Sequence, residues 1–379
     1  KQTEAAELLE LSYRQCRRQY TRWRKEGSAG LVHRGRGRPS NRGYPAEFKQ
    51  QVLATYQAKY PGWGPTLAAE KLAAEGQAVD HETLRGWLLA AGLWRRARKR
   101  SGHRSWRARR EHFGELVQLD GSPHPWFEER AGEACLMKLV DDATGKREGW
   151  LAEEETIFAA MRILWNWIDR YGIPQALYTD KKNVYVTDEK TRARAKESGE
   201  EALTQFGRAC KKLGIKIITA HSPQAKGRVE RSHRVYQDRL VKELGLQQIS
   251  TIPEANQLLG GPFGRDLATR FAVAPQAAAD YHRSAAGYDL PAIFCIEAER
   301  SLTADWTVQF QRQFYQLQAP RSQVRGRGKV TVQRYLDGSL HFRWEDKELA
   351  YTLLPERPRP SSPKKKIGAS NQAADGLRW

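Results

Sequence analysis

Three acidic residues, Asp120, Asp180 and Glu230, lie where a metal site at the edge of a β-sheet is expected. Asp120 and Asp180 each follow a short apolar stretch typical of a strand, and Glu230 lies in a long helix-forming segment. Carboxylate oxygens bind hard cations, and two Mg²⁺ ions promote in-line attack on a phosphodiester, one by activating the nucleophile and the other by stabilising the leaving oxygen. These residue types predict a site for two Mg²⁺ or Mn²⁺ ions.

Acidic residues are common in this chain, so the three acids are informative only because of their positions. Asp and Glu number 44, and strand ends also hold turn-forming Asp for local reasons, which is the interpretation that we prefer for Asp141 and Asp142. His221 and His233 lie near Glu230 and offer proton transfer, but a metal-bound water needs no histidine base. We therefore do not expect either histidine to be catalytic.

The elements that position these acids are predicted between residues 113 and 245. Strands are expected at 116–120, 134–140, 148–151, 176–180 and 215–219, and helices at 156–171, at 203–213 and from Ser222 onward. This β-β-β-α-β-α-β-α order is the ribonuclease-H-like arrangement, an α/β sheet with right-handed crossovers. The ends of its first and fourth strands meet at one rim, and a Glu on the last helix reaches the same point.

Positive charge is concentrated at the two ends of the chain. The 379 residues carry a net charge of +20, with 24 Lys/Arg against 9 Asp/Glu in 1–110, 34 against 33 in 111–354, and 6 against 2 in 355–379. Basic arms around a balanced middle are typical of DNA-binding proteins, although solvated basic loops are the alternative. No apolar run suggests a membrane span, and four separated cysteines favour a reducing cytoplasm.

Residues 1–33 are predicted to form a short helix, a turn and an Arg-rich helix, which is the helix-turn-helix order. Ser12 and Gln15 form a capping-box pattern at the start of the second helix. The candidate major-groove contacts on that helix are Arg14, Arg17 and Arg18. A helical hairpin with a solvated basic face is the alternative. This module normally has a helix before these two, so a truncated start is expected.

A second helix-turn-helix unit is predicted at 44–94. Asp80 is expected to cap its last helix, with His81 and Arg85 on the DNA-reading face. Three apolar residues of that helix are assigned to the core instead: Leu84, Trp87 and Leu88. The flanking segments are predicted to be basic linkers, an AT-hook-like one at 34–43 and a phosphate-tracking one at 95–112. Their candidate DNA contacts are Arg36, Arg38, Arg96, Arg98 and Arg100, and a flexible linker is the open alternative for 34–43.

The helix that carries Glu230 is also basic. The candidate DNA contacts around the acid are Lys226, Arg228, Arg231 and Arg234, with a solvated helix face as the alternative. Beyond it, we expect a mixed connector at 246–300, a small β-barrel at 301–355 and a disordered basic tail at 356–379.

Four motifs together resemble a known family. They are Gln118-Leu-Asp-Gly-Ser122, Val140-Asp-Asp-Ala-Thr-Gly145, Tyr178-Thr-Asp-Lys181 and Ser222-Pro-Gln-Ala-Lys-Gly-Arg-Val-Glu-Arg231. With the helix-turn-helix units and the β-rich end, they resemble the DDE transposases of the ISNCY insertion-sequence family, within the integrase-core superfamily that includes retroviral integrases. The pattern departs from many integrase cores in two places: Lys181-Lys182 follows Asp180 instead of Asn-Gly, and a polar stretch at roughly 186–202 lengthens the spacing to Glu230.

The resemblance implies a transposase that binds terminal inverted repeats, nicks DNA at the 3′ ends of the transposon and joins these ends to target DNA. It implies that Asp120, Asp180 and Glu230 bind the metal ions. Because two ends must be joined together, a homodimer or a larger synaptic complex is expected. Two alternatives stay open: a non-catalytic DNA-binding regulator that keeps the fold, and a nuclease that hydrolyses without joining.

Overall fold

The computed structural model describes residues 1–33, 35–37, 43–95, 108–188, 191, 197, 201–219, 227–318, 328–344 and 347–355. The chain divides into two compact units, Lys1–Arg100 and Ser101–Trp379. In the part of the chain that is described, no helix is both long enough and apolar enough to cross a membrane.

The first unit is helical. Its helices are α1 (Gln2–Leu8), α2 (Tyr13–Glu26), α3 (Ala46–Lys59), α4 (Pro65–Ala74) and α5 (His81–Ala90), with a 3-10 turn at Gly27–Leu31. The capping box predicted for α2 is confirmed: the Ser12 hydroxyl accepts from the Gln15 backbone N–H, and the Gln15 side chain accepts from the Ser12 backbone N–H, both at 3.3 Å.

Helices α3, α4 and α5 pack around one apolar core that includes Val52, Leu72 and Leu84. The core assignments of Leu84 and Leu88 are confirmed, and Trp87 is partly buried and packs against the same core. The predicted cap is confirmed as well, because the Asp80 carboxylate accepts from the backbone N–H groups of residues 82 and 83 at 2.9 and 3.3 Å. These bonds satisfy two donors that a helix start otherwise leaves without a partner.

The second unit contains a five-stranded sheet. Its elements are β1 (Val117–His124), β2 (Ala134–Asp141), β3 (Arg147–Ala152), α6 (Ile157–Tyr171), β4 (Ala176–Thr179), α7 (Gln205–Lys212), β5 (Lys216–Thr219) and α8 (Gly227–Leu246). The strand order is β3-β2-β1-β4-β5, with the first two pairings antiparallel and the last two parallel. The predicted ribonuclease-H-like order is confirmed, whereas the predicted helix start at Ser222 lies outside the described residues.

Helices cover both faces of this sheet. Val117 and Leu119 of β1 pack in the cluster with α6 and α7, and Leu136 of β2 packs in the cluster with α8. Since side chains alternate along a strand, Gln118 and Asp120 face α8. Helix α8 has a buried apolar stripe, which is formed by Val229, Tyr236, Leu240 and Leu244.

Residues 246–300, expected as a connector, contain α9 (Ile252–Gly260), α10 (Pro262–Arg270) and the short α11 (Leu290–Ile293). The first two helices belong to the core, because Leu259 and Leu267 are buried in the same cluster as the stripe of α8. The Asn256 amide also exchanges two hydrogen bonds with the Leu151 backbone, at 2.7 and 2.8 Å. This segment supports the sheet rather than merely linking two domains.

The described residues that follow form the strands β6 (Cys295–Leu302), β7 (Thr307–Phe310), β8 (Gln313–Leu317), β9 (Gly328–Tyr335), β10 (Leu340–Trp344), β11 (Lys347–Leu349) and β12 (Tyr351–Leu354). The structure confirms that the region of the predicted small β-barrel is built of strands, but the described strands do not close into a barrel. In the described part of this region the strands form two sheets, β11-β10-β9-β6 and β12-β8-β7, around one shared core. The chain crosses from one sheet to the other at Ala350, between β11 and β12. The tail predicted at 356–379 lies outside the described residues.

Candidate active site

Asp120 and Asp180 lie at corresponding positions on neighbouring parallel strands. β1 pairs with β4 through Val117↔Leu177 and Gln118↔Tyr178, and each Asp comes two residues after the last pair. Adjacent parallel strands point the same way, so this register brings the two carboxylates to one rim of the sheet. Both side chains are accessible, 19% exposed for Asp120 and 28% for Asp180.

The first strand is longer than predicted, so Asp120 does not end it. β1 continues to His124 by pairing with β2, although its pairing with β4 has stopped. Gly121 and Pro123 indicate a strand end in the sequence, but proline is tolerated where one edge of a strand has no neighbour to accept a hydrogen bond. Asp120 therefore lies where β1 loses its second neighbour, which opens the rim beside it.

Helix α8 lies against this rim. His233 Nε2 is 3.0 Å from Asp120 Oδ2 and holds that carboxylate from the helix side. Residue 230 lies in the same helix, three residues before His233, and residues three apart share a helix face. The side chain of Glu230 lies outside the described part of the chain.

A buried lysine fixes α8 next to Asp120. Lys138 lies directly opposite Asp120 on β2, is fully buried, and donates from Nζ to the Val229 carbonyl at 3.1 Å. Burial lowers the pKa of Lys138 well below its usual range; Arg147 acts in the same direction, and Asp120 opposes it. The bond joins β2 to the beginning of α8, so it sets the distance between the helix and the acidic rim.

A third carboxylate, Glu155, lies on the other side of Asp120. Glu155 Oε2 is 2.5 Å from Lys182 Nζ, and its Oε1 accepts from the Tyr185 hydroxyl at 2.7 Å. It also packs against the backbone of Gly121, where a Cβ atom would overlap its Oε2. Glu155 is therefore held by contacts on three sides, and it lies beside Gly121, the residue that follows Asp120.

Lys182 connects this group to the second aspartate. Its ammonium is 3.4 Å from Asp180 Oδ2, and its backbone N–H donates to Asp180 Oδ1 at 3.2 Å. Partial burial acts to lower the pKa of Lys182, but the hydrogen bond and charge of Glu155, with the charges of Asp180 and Asp120, outweigh burial and hold it above its usual value. The rim thus concentrates negative charge that already stabilises one cation.

The two acids assigned to structure have structural partners. Asp141 Oδ2 accepts from the Thr144 backbone at 2.7 Å, and fully buried Asp142 accepts from Gln118 at 2.7 Å. Asp142 also pairs with Arg228 at 2.7 Å, and the Arg228 side chain is only 18% exposed. The structure therefore places Arg228, a candidate DNA contact, in a bond that connects α8 to the end of β2.

The other candidate DNA contacts differ in their surroundings. His81 lies 3.5 Å from both Asp80 and Glu82, and Arg85 pairs with Glu82, so acids compete with DNA for both. Six candidates are exposed: Arg14, Arg17, Arg18, Arg36, Arg231 and Arg234. Five lie outside the described residues: Lys226, Arg38, Arg96, Arg98 and Arg100.

The rim offers the donor atoms of a divalent-cation site. Asp120 and Asp180 supply carboxylate oxygens, the ligands that Mg²⁺ prefers, and the position of Lys182 shows that positive charge is stabilised beside them. Among the described side chains, no set of three or more His, Cys, Asp or Glu lies close enough to hold a metal, and Glu230 is not one of those side chains.

Sequence reasoning missed Glu155 and Lys182. Glu155 is the last of three consecutive glutamates before the capping residue Thr156, where acids are common because they complement the helix dipole. Lys182 was noticed only as a departure from the Asn-Gly pattern. The departure from Asn-Gly is the available signal, because a lysine two residues after an aspartate lies within reach of its carboxylate.

The sequence of this chain is similar to one domain family and to two other proteins. A model of the homeodomain-like domain matches residues 15–88. A protein of Sinorhizobium fredii that is named as a transposase is 38% identical over 361 residues, covering 94% of this chain and 78% of its own length. The transposase for insertion sequence IS1202 of Streptococcus pneumoniae is 31% identical over 289 residues, covering 66% of this chain and 61% of its own length.

Among solved structures, the HTLV-2 integrase catalytic core domain in complex with magnesium is 19% identical and matches with a TM-score of 0.29, covering 39% of this chain and 86% of that one. The sequence similarity to the two transposases is much stronger, because the Sinorhizobium fredii protein matches nearly the whole chain. This chain belongs to the same family of insertion-sequence transposases as these two proteins.

Proposed function

We propose that this transposase binds terminal inverted repeats, cleaves DNA at the 3′ ends of the transposon and joins those ends to target DNA by metal-dependent transesterification. The observation that carries the proposal is the β1–β4 register, which brings Asp120 and Asp180 to one rim. Helix α8 adds Glu230 as the third acid of the proposed site. Residues 113–245 form the catalytic domain in this proposal.

The residues around the rim prepare it for a phosphodiester. His233 lies 3.0 Å from Asp120 and orients that carboxylate, and Lys138 holds the beginning of α8 through a hydrogen bond of 3.1 Å to the Val229 carbonyl. Exposed Arg231 and Arg234 on α8 provide positive charge for the DNA backbone. Bound Mg²⁺ or Mn²⁺, with two ions per site, would stabilise the charge on the attacking and leaving oxygens.

The helical unit supplies the DNA-recognition part of the proposal. The helix-turn-helix units at 1–33 and 44–94 bind the transposon ends, and the linkers at 34–43 and 95–112 follow the phosphate backbone. Since two ends are joined in one event, the active form is a homodimer or larger complex on transposon-end and target DNA. The exposed arginines of α2 make this helix the main candidate for end recognition.

Joining of labelled transposon-end DNA to a target plasmid tests the proposed reaction. With Mg²⁺ or Mn²⁺ we expect joined products, and removal of the metal with EDTA should abolish joining without abolishing end binding, because binding uses residues of the helical unit. End binding without joining under either metal would instead identify a non-catalytic regulator. Hydrolysis without joining would identify a nuclease.

Arg17→Ala tests the helical unit. Arg17 is exposed on α2, so its loss should weaken binding of end DNA about threefold to tenfold and lower the slope of log affinity against log salt by about one. Fluorescence anisotropy at several salt concentrations measures both quantities. The matched control is Lys59→Ala, since Lys59 is paired with Glu75 at 2.8 Å. Equal affinities for the two variants would contradict the assignment of α2.

A further inference from the structure

The pair formed by Glu155 and Lys182 has no place in the reaction proposed above. We infer that Lys182 is a built-in counter-ion of the acidic rim, positioned by Glu155, and that it competes with the divalent metal for Asp180. This inference rests on the proposed metal site and adds a residue that sets how strongly that site binds its ion. Lys182 acts here through Asp180, so it is a positioning residue.

Glu155 is a fixed anchor for the lysine. Its side chain is 9% exposed, accepts from the buried Tyr185 hydroxyl and packs against Gly121, so it has little freedom to move. The Lys182 side chain, by contrast, is 49% exposed. The ammonium is therefore the mobile member of the pair, and it is held at the rim by a carboxylate that stays in place.

Lys182 shares an oxygen with the proposed metal site. Its ammonium is 2.5 Å from Glu155 Oε2 and 3.4 Å from Asp180 Oδ2. A divalent cation that binds Asp180 would lie next to this ammonium, and two positive charges a few ångströms apart repel each other strongly. Metal binding must therefore displace the ammonium from Asp180, towards Glu155 or towards solvent.

The arrangement has two consequences for the free protein. Without metal, Lys182 compensates the repulsion between Asp120, Asp180 and Glu155, so the rim keeps its shape. The same compensation lowers the affinity of the rim for a divalent ion, because part of the binding free energy is used to displace the ammonium. The preceding residue, Lys181, offers a comparison, since no described bond connects its side chain to this cluster.

Calorimetric titration of the full chain with Mn²⁺ in the absence of DNA tests this inference. Lys182→Met removes the ammonium but keeps an unbranched side chain of nearly the same length, and we expect it to bind Mn²⁺ about tenfold more tightly than the unchanged protein. Lys181→Met, the matched control, should bind within about twofold of the unchanged protein, because the Lys181 side chain is exposed and its charge is screened by solvent. Lys182→Arg keeps the charge and should restore the unchanged affinity.

The outcomes separate this inference from the proposed function. If the unchanged protein and Lys182→Met bind Mn²⁺ equally, or if Lys181→Met gives the same gain, the counter-ion role is wrong although the metal site stands. If neither the unchanged protein nor any variant binds Mn²⁺, the metal site itself is wrong, and the inference falls with it. If thermal unfolding shows that Lys182→Met is not folded, Lys182→Gln, which is also neutral but keeps a hydrogen-bond donor, must show the same gain.

Discussion

Replacing Asp120 by asparagine is expected to reduce joining of transposon ends by about a thousandfold or more. Asparagine has the shape of aspartate but carries no negative charge, so the rim loses an anionic oxygen ligand. The amide can still bond His233, and the neighbours of the side chain need not move. We therefore expect the free energy of unfolding to change by less than about 1 kcal/mol.

The measurement is a single-turnover joining assay with end DNA held above its dissociation constant, so that weak binding cannot imitate slow chemistry. Asp169→Asn is the matched control, since Asp169 is exposed on α6. End binding should be the same in both variants, because the helical unit is unchanged. Joining by Asp120→Asn within tenfold of the control would show that Asp120 is not part of the reacting centre.

The order of elements was predictable because it depends on local patterns. Apolar periodicity located the strands and α6, and the caps at Ser12 and Asp80 were recognised because capping partners lie only two or three residues away. The convergence of Asp120 and Asp180 followed from the same order, since neighbouring parallel strands share an edge. Local sequence patterns were therefore sufficient to predict that the two aspartates lie at one rim of the sheet.

The immediate surroundings of the rim were not predictable because they depend on long-range contacts. Lys182 is 27 residues from Glu155 in the chain, and Arg228 is 86 residues from Asp142. Nothing in a run of three glutamates indicates which one turns towards the sheet. A basic residue next to an acid on a helix suggests a DNA contact in either of two cases. The residue can be exposed, or it can be paired with a buried acid from a distant part of the chain.

Gly121 illustrates the same limit and gives the second large prediction. In the sequence this glycine suggests the end of a strand, yet it pairs with Met137 in the middle of β1. Its lack of a side chain is needed for packing, because a Cβ would overlap the Glu155 carboxylate and lie 3.1 Å from Cys135 Sγ. The glycine immediately after Asp120 thus makes the space that Glu155 occupies.

Gly121→Ala is expected to lower the free energy of unfolding by about 1–3 kcal/mol, since a buried carboxylate held by Tyr185 must shift to admit the methyl group. Joining should fall about tenfold to a hundredfold, because a displacement of about 1 Å next to the reacting centre is enough for such a loss. Denaturant unfolding and the joining assay measure the two effects. Gly132→Ala is the control, since a Cβ at Gly132 meets no atom within 4 Å.

A double-mutant cycle attributes the loss to Glu155. In protein that already carries Glu155→Ala, the space beside Gly121 is empty, so adding Gly121→Ala should cost little further stability. The coupling free energy between the two positions is therefore expected to be about 1 kcal/mol or more. Strictly additive costs would mean that Gly121 is required for a reason other than the Glu155 carboxylate. With coupling confirmed, the glycine after Asp120 sets the place of the carboxylate that positions Lys182.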